Sequence, residues 1–181
     1  PQKVLRVPFI IAETSFDPQK ISDVYSNIVN DGIFDSPLKY DYLARPLKLK
    51  PNTLAAMPEI SADGLTYTLR VKPGIYFADD PAFKGARREL IAADYVYSIK
   101  RHYDPRWKSG KLYQLESWKL LGLSELRAEA IAQKKAFDYD REVAGLRVLD
   151  RFSFEVHLAE PSPRLAQEFT DPGLVGALAR E

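Results

Sequence analysis

The sequence predicts an α+β fold with an antiparallel sheet. Two segments, Gly64–Val71 and Leu146–Leu158, alternate apolar and polar residues with the period of a β-strand. A third segment, Ala92–Tyr103, carries apolar residues at the spacing of one face of a helix. The polar face of the alternating strands favours antiparallel pairing, because such a sheet can leave one side in water.

The first third of the chain predicts one strand, one helix and one extended segment. Residues 4–11 (VLRVPFII) predict an apolar strand that Pro8 ends or distorts, because proline cannot donate to a strand ladder. Residues 22–29 predict a short helix that Ser22 caps, and residues 46–51 predict an extended segment. The helix is expected to turn its apolar residues inward; they are Val24, Tyr25 and Ile28.

Turn residues bound the clearest strand, since Asp63-Gly64 precede it and Pro73-Gly74 follow it. Residues 75–77 then predict a short strand that returns beside it. The inward side chains of the first strand are expected to be Leu65, Tyr67, Leu69 and Val71.

The rest of the chain predicts two helices, a hairpin and a weakly helical tail. In the helix Ala92–Tyr103 we expect an inward stripe of Ala92, Val96, Ile99 and Tyr103. Residues 120–135 predict a second helix, and residues 146–158 predict a hairpin that turns at Asp150-Arg151. Its inward residues are expected to be Phe152, Phe154, Val156 and Leu158, and its outward residues Ser153, Glu155 and His157.

The composition excludes several classes of function. The chain has 181 residues and a formal net charge of +1, which argues against a dedicated nucleic-acid binder. It has no cysteine, which excludes disulfides, thiol nucleophiles and cysteine-ligated metals. It contains no GxGxxG, GxxxxGK[ST] or GxSxG motif, so phosphate loops of those types are absent and hydrolase chemistry has no positive support.

Adjacent carboxylates at Asp79 and Asp80 are the first candidates for chemistry. They could bind a metal, act as an acid–base pair, or form a turn before Pro81. Neighbouring residues of an extended chain point to opposite sides, and no third ligand has the spacing of a calcium loop. A structural turn is therefore the favoured interpretation, at about four to one.

The two histidines and the two tryptophans are the remaining candidates. His102 and His157 form neither an HxH nor an HExxH pair, so a surface or core-edge position is favoured for both. A Ser–His–Asp triad stays open on spacing alone. Trp107 and Trp118 either cover a ligand or cap the core, and the cap is favoured.

An ordered set of motifs resembles the extracellular solute-binding proteins of peptide-type ABC importers, family 5. The most specific pieces are SADGLTYTLR at residues 61–70 and IAADYVYSIKR at residues 91–101. Phe16-Asp17-Pro18 and the segment at residues 30–41 precede them in the family's order. One departure is Ile91, where members of the family usually carry a serine or threonine that caps the following helix.

This resemblance implies a periplasmic binding protein-like fold of type II, in the α/β class with α+β character in this segment. It implies the opening part of lobe I at residues 1–38, a small antiparallel-sheet subdomain at residues 39–162, and a truncated return toward lobe I at residues 163–181. Such proteins are much longer and clamp their ligand between two lobes by hinge closure.

The resemblance also implies a function. The chain is expected to belong to a substrate-binding component that captures peptides or similar small solutes and delivers them to permease subunits in the inner membrane. No enzymatic activity, cofactor, metal or nucleic-acid partner is implied. The location is expected to be the periplasm, with a signal peptide removed before Pro1. By the same resemblance, the residues that contact the ligand are expected to be Phe34, Asp35 and Ser36.

Two rivals stay open from the sequence. The first is a ligand-sensing domain of a transcriptional regulator built on the same fold. The second is a hydrolase on an unrelated α+β fold that uses His102 or His157.

Overall fold

The computed structural model describes residues 3–181 and shows the predicted mixture of helices and antiparallel sheets. A two-stranded sheet lies apart from a four-stranded one, and helix α2 packs against the larger sheet. The strands are β1 (Leu38–Tyr40), β2 (Leu49–Pro51), β3 (Glu59–Ile60), β4 (Thr66–Arg70), β5 (Leu146–Val148) and β6 (Ser153–His157). The helices are α1 (Val24–Ile33), α2 (Ala92–Tyr103), α3 (Leu112–Ser117), α4 (Leu123–Gln133), α5 (Leu165–Glu168) and α6 (Pro172–Val175). Within this range, no helix is long and apolar enough to cross a bilayer.

The larger sheet has the strand order β3-β4-β6-β5, and every pair in it is antiparallel. Its centre is the β4–β6 pair, where Leu69 lies opposite Phe154 and both side chains are buried. The strand β4 and the β5–β6 hairpin are thus confirmed. Ser153 differs from the prediction, because it is buried where the hairpin turn folds back and Leu149 N–H donates to its carbonyl at 2.9 Å.

Helix α2 matches its predicted bounds and buries its predicted apolar stripe. Tyr95 on this helix stacks on Phe154 of β6, with ring centroids 5.6 Å apart. The capping residue is Ile91, whose side chain cannot accept a hydrogen bond. Its backbone N–H instead donates to Asp94 Oδ2 at 2.9 Å, which is half of a capping box. Arg88 holds the same carboxylate in an ion pair of 2.6 Å.

Helix α1 forms, but its predicted cap and inward face are wrong. The cap is Asp23 rather than Ser22, because Asp23 Oδ1 accepts the Ser26 N–H at 2.8 Å. Val24 and Ile28 are 68% and 51% exposed. Helix α6 packs against α1, and Thr14 N–H donates to Ser26 Oγ at 2.9 Å. The residues of α1 that are buried instead are Ser26 and Asn30.

The predicted strand at residues 4–11 is also wrong. This segment is irregular and exposed, and the exposed fraction reaches 88% at Leu5 and 87% at Ile10. A strand needs a neighbour to satisfy its backbone N–H and C=O groups, and neither sheet of the described chain pairs with this segment. An apolar pattern indicates a tendency to form a strand, but it does not show whether a partner strand is available.

Residues 75–77 are extended, but they do not return beside β4. Both edges of β4 are already occupied by β3 and β6. The segment pairs instead with residues 88–90, since Phe77 N–H donates to the Arg88 carbonyl at 2.9 Å and Leu90 N–H donates to the Ile75 carbonyl at 2.8 Å.

The helical prediction for residues 120–135 is confirmed in a shorter form, as α4, and α3 was not predicted. The weakly helical tail is confirmed as two short helices, α5, which buries Leu165, and α6, which buries Gly173, Leu174 and Val175. Phe169 packs edge-on against Trp118 at 5.7 Å and against Tyr67 at 6.4 Å between ring centroids. Trp118 is therefore part of the core, as the capping interpretation predicts. The three predicted domain segments stay predictions.

Glycine at position 145 is required by a close approach of two backbone segments. Gly145 N–H donates to the Leu121 carbonyl at 2.7 Å, and a Cβ at this position would overlap the backbone of Leu121. Gly32, in contrast, lies near the end of α1, where an added Cβ meets no atom within 4 Å. The two glycines form a matched pair for a test of packing.

We expect Gly145→Ala to lower the free energy of unfolding by about 3 kcal/mol, because the two backbone segments must separate. Gly32→Ala should raise it by up to about 1 kcal/mol, because alanine favours the helix. Urea denaturation followed by circular dichroism measures both. Equal stabilities of Gly145→Ala and the unaltered chain would contradict the packing described here.

Candidate functional site

A surface cleft of about 550 Å³ lies where the end of α1 meets the segment at residues 75–83 and the tail at residues 177–181. We call it the aromatic cleft. Its lining combines aromatic side chains with carboxylates at Asp35, Asp80 and Glu181. The aromatic residues that line it are Phe34, Tyr76, Phe77 and Phe83.

The end of α1 places the first predicted site residues at this cleft. Phe34 is the C-cap of α1, and its N–H donates to the Asn30 carbonyl at 2.9 Å. The chain leaves the helix there in an extended conformation, which directs it toward β1. Phe34 is half-buried and Asp35 is exposed, and both line the cleft.

Ser36 takes a different position from its two neighbours. It is 6% exposed and does not line the cleft, and its hydroxyl donates to the Leu38 carbonyl at 2.7 Å. Its own carbonyl accepts a hydrogen bond from Asn52 Nδ2 at 3.0 Å. The same amide group donates to Asp35 Oδ1 at 3.1 Å, so Asn52 sets the orientation of the Asp35 carboxylate. Ligand contact by Phe34, Asp35 and Ser36 stays a prediction.

The opposite wall contains Asp80, one of the two adjacent carboxylates of the sequence. Asp80 caps a 3₁₀ turn at Pro81–Phe83, since its Oδ1 accepts the Ala82 N–H at 2.8 Å. This is the turn that the sequence favoured. The turn brings the ring of Phe83 to 6.2 Å from that of Phe77. Asp79 is exposed and lies outside the cleft lining.

Both signs of charge lie at the cleft, since the guanidinium carbons of Arg87 and Arg88 are 4.0 and 5.6 Å from the ring centroids of Tyr76 and Phe77. Glu181 is paired with Arg88 at 2.8 Å. Within residues 3–181, neither Asp35 nor Asp80 has a cationic partner within ion-pair distance. An apolar aromatic surface beside two unpaired carboxylates can hold a group that joins an apolar part to a positive charge. Sequence reasoning missed the aromatic wall and the tail, because only the fold brings residues 75–83 and 177–181 to the end of α1.

Neither histidine has a catalytic arrangement. His102 is fully buried, where the sequence predicted a surface or core-edge position. One ring nitrogen is 3.2 Å from Gln19 Nε2 and the other is 2.6 Å from Ser109 Oγ. His157 contacts Thr66 Oγ1 at 3.1 Å on the sheet surface. The described chain also holds no group of three or more His, Cys, Asp or Glu residues that could bind a metal.

Burial dominates the protonation of His102. Removal from water lowers the pKa of this imidazole to about 3, and the nearby Lys111 and Arg101 cations act in the same direction. A hydrogen bond with the Leu174 backbone and the nearby Asp17 carboxylate oppose them without reversing the shift. The side chain is therefore neutral across the physiological pH range, which suits a packing residue.

Trp107 lies over a small cluster of cations outside the core. The guanidinium carbon of Arg101 is 4.4 Å from the ring centroid, and Lys20 Nζ is 4.8 Å from it. Arg101 also forms a two-bond ion pair with Asp17, at 2.9 and 3.1 Å. Trp107 thus helps to fasten the segment after residue 16 to the end of α2.

The fold by itself defines a structural class of protein. Its described part is a mixed sheet-and-helix unit with an open cleft and no catalytic constellation. Residues 48–177 match the family described as bacterial extracellular solute-binding proteins, family 5 middle. The chain belongs to this family. The resemblance derived from the residues 61–70 and 91–101 is thereby confirmed.

Curated relatives carry names of peptide-binding proteins. A dipeptide-binding protein of Lactococcus lactis subsp. cremoris is 27% identical over 158 residues, which cover 87% of this chain and 25% of that protein. Di/tripeptide-binding protein 4 of Pseudomonas aeruginosa is 32% identical over 90 residues, which cover 45% of this chain and 17% of that protein.

Solved structures share the fold. OppA of Haemophilus influenzae, in complex with the peptide RPPGFSPFR, superposes with a TM-score of 0.70 at 23% identity, over 92% of this chain and 28% of that one. DppA of Helicobacter pylori, in complex with the peptide STSA, gives a TM-score of 0.64 at 20% identity, over 92% and 29%. The chain thus spans less than a third of the length of these relatives.

The buried neutral His102 predicts a pH dependence of stability. The unfolded chain binds a proton on this imidazole below its ordinary pKa of about 6.5, whereas the folded chain does so only near pH 3. Because the unfolded state holds more protons in that window, stability falls as the pH drops. The expected loss between pH 7 and pH 5 is about 2 kcal/mol from this residue.

We expect His102→Phe to have lower stability at pH 7 but a flatter pH profile between pH 7 and pH 5. Val24→Ala, at an exposed side chain with no titratable group, is the control and should keep the slope of the unaltered chain. Urea unfolding at a series of pH values measures all three proteins. An unchanged slope in His102→Phe would contradict a buried neutral imidazole.

Proposed function

We propose that this chain is part of a substrate-binding component of an ABC importer, which captures peptides or similar small solutes and delivers them to membrane permease subunits. The observation that carries the proposal is the family membership of residues 48–177. The named relatives are described as binding proteins, and two of the solved structures hold peptides. None of those names is that of a regulator or a hydrolase.

Family members are extracellular solute-binding proteins, and we propose a periplasmic location for this one. We also propose that it is not an enzyme. The arrangement of the described histidines supports this, because each is hydrogen-bonded to uncharged neighbours of the fold.

We propose the same division into segments that the sequence predicts: residues 1–38 and 163–181 belong to lobe I, and residues 39–162 form the small subdomain. The packing of α6 against α1 supports this division, since it joins the first and last segments directly. The aromatic cleft lies where all three segments approach one another.

Within this function, we propose that the aromatic cleft contributes to peptide binding through Phe34 and Asp35. The ring of Phe34 offers apolar surface, and Asp35 and Asp80 offer negative charge to an amine. Ser36 acts in this proposal as a support, because its carbonyl holds the Asn52 amide that orients Asp35.

Calorimetric titration with short peptides tests the function, using the protein encoded by the complete reading frame. We expect saturable binding of at least one class of di- to pentapeptides. Asp35→Asn and Asp80→Asn should each weaken binding of a peptide with a free amine by about tenfold, because a charge-assisted hydrogen bond is lost. N-acetylated peptides should lose this dependence.

Asp79→Asn is the matched control, because Asp79 is an exposed neighbour of Asp80 outside the cleft lining. Asparagine at position 80 can still cap the 3₁₀ turn. A loss of affinity in Asp80→Asn would therefore reflect the lost negative charge rather than a folding defect. Failure of the unaltered protein to bind any peptide would overturn the function. Binding that is equal in all three variants would overturn only the role of the cleft.

A further inference from the structure

A second cavity of about 660 Å³ lies beside α2, and we call it the charged cavity. Its walls come from α2, from the loop at residues 139–142, from β5 and from the tail at residues 180–181. It shares only Glu181 with the lining of the aromatic cleft. Nothing in the peptide-binding proposal uses it.

Lys100 is a buried cation in the wall of this cavity. The residue is 4% exposed, and its ammonium donates to the carbonyls of Tyr139 and Arg141, both at 2.8 Å. Within the described residues, no carboxylate lies within ion-pair distance of it. An ammonium group has three donors, so one remains after these two hydrogen bonds.

The other charges of the cavity are mostly neutralised within its wall. Arg88 pairs with Asp94 at 2.6 Å and with Glu181 at 2.8 Å, and Arg180 pairs with Asp140. In the described chain three lining residues form no ion pair; they are Lys100, Arg147 and Glu142. Over the whole lining the charges balance, since Arg88, Lys100, Arg147 and Arg180 face Asp94, Asp140, Glu142 and Glu181. The group left unsatisfied is therefore a local one, the third donor of Lys100.

The same cavity has an aromatic wall. The rings of Tyr97 and Tyr139 lie with their centroids 5.1 Å apart, and Val96 and Val148 add apolar surface. A ligand that joins a carboxylate to an aromatic ring would match both the unused donor of Lys100 and this wall.

We propose that the charged cavity binds a small aromatic monocarboxylate, with the carboxylate on Lys100 and Arg147 and the ring against Tyr97 and Tyr139. Burial lowers the pKa of the Lys100 ammonium, and a bound carboxylate would offset that shift. The direct hydrogen-bond partners of Lys100 are neutral carbonyls, and its carboxylate neighbours Asp138, Asp140 and Glu142 act only at longer range. An anionic ligand would give this buried cation a direct ion pair.

Benzoate is the probe, and benzyl alcohol of similar shape is the neutral control. Two-dimensional NMR of the 181-residue chain should show saturable shifts on benzoate addition. The shifts should centre on the backbone amides of Tyr97, Tyr139 and Arg147. Benzyl alcohol should bind at least tenfold more weakly. Absence of saturation with benzoate, equal binding of both compounds, or shifts centred elsewhere would each overturn the proposal.

Two variants test the role of charge. Arg147→Gln and Lys100→Met should each weaken benzoate binding about tenfold, as expected for loss of a charge-assisted hydrogen bond. Arg164→Gln, at an exposed residue outside the cavity lining, is the matched control and should bind as the unaltered chain does. If Lys100→Met does not fold, the exposed Arg147→Gln decides, and unchanged affinity in it would overturn the proposal.

Discussion

The structure depends on the need to satisfy the polar groups that α2 buries. One stripe of this helix is apolar and covers the sheet, but Asp94, Ser98, Lys100, Arg101 and His102 are buried as well. A buried polar group without a partner costs free energy, and a buried charge costs more. Each of these side chains therefore needs a partner from elsewhere in the chain, and the partners determine what packs around α2.

The partners come from segments far apart in sequence. Asp94 is held by Arg88, and Ser98 Oγ accepts the Leu178 N–H at 2.7 Å. Lys100 binds two carbonyls of the loop before β5. Arg101 holds Asp17. Through these hydrogen bonds one helix fastens the opening segment, the loop at residues 139–141 and the tail into a single unit.

This arrangement also explains where the two cavities lie. The tail that α2 holds through Ser98 runs on to line both of them. Arg88 lines the charged cavity and binds Glu181, the residue that both linings share. The aromatic cleft and the charged cavity are thus consequences of how α2 is enclosed. A change in the partners of α2 would alter the shape of both.

Local sequence patterns correctly predicted the elements whose structure depends on near neighbours in sequence. The period of β4, the hairpin turn at Asp150-Arg151 and the apolar stripe of α2 each follow from near neighbours in sequence, and all three are confirmed. The same kind of pattern failed at residues 4–11 and on the face of α1. There the outcome depends on distant partners. Within the described residues no strand pairs with residues 4–11, and α1 buries Ser26 and Asn30 rather than Val24 and Ile28.

At the candidate site, too, some features were predictable from local sequence and others depended on distant partners. Motifs in the sequence determined the family and directed attention to Phe34 and Asp35, because motifs reflect local turn and strand chemistry. Tertiary structure alone decided that Ser36 turns away, that Tyr76 and Phe83 complete the wall, and that Lys100 is a cation without a carboxylate partner in the described chain. The physical reason is that burial and charge pairing arise between segments that only folding brings together.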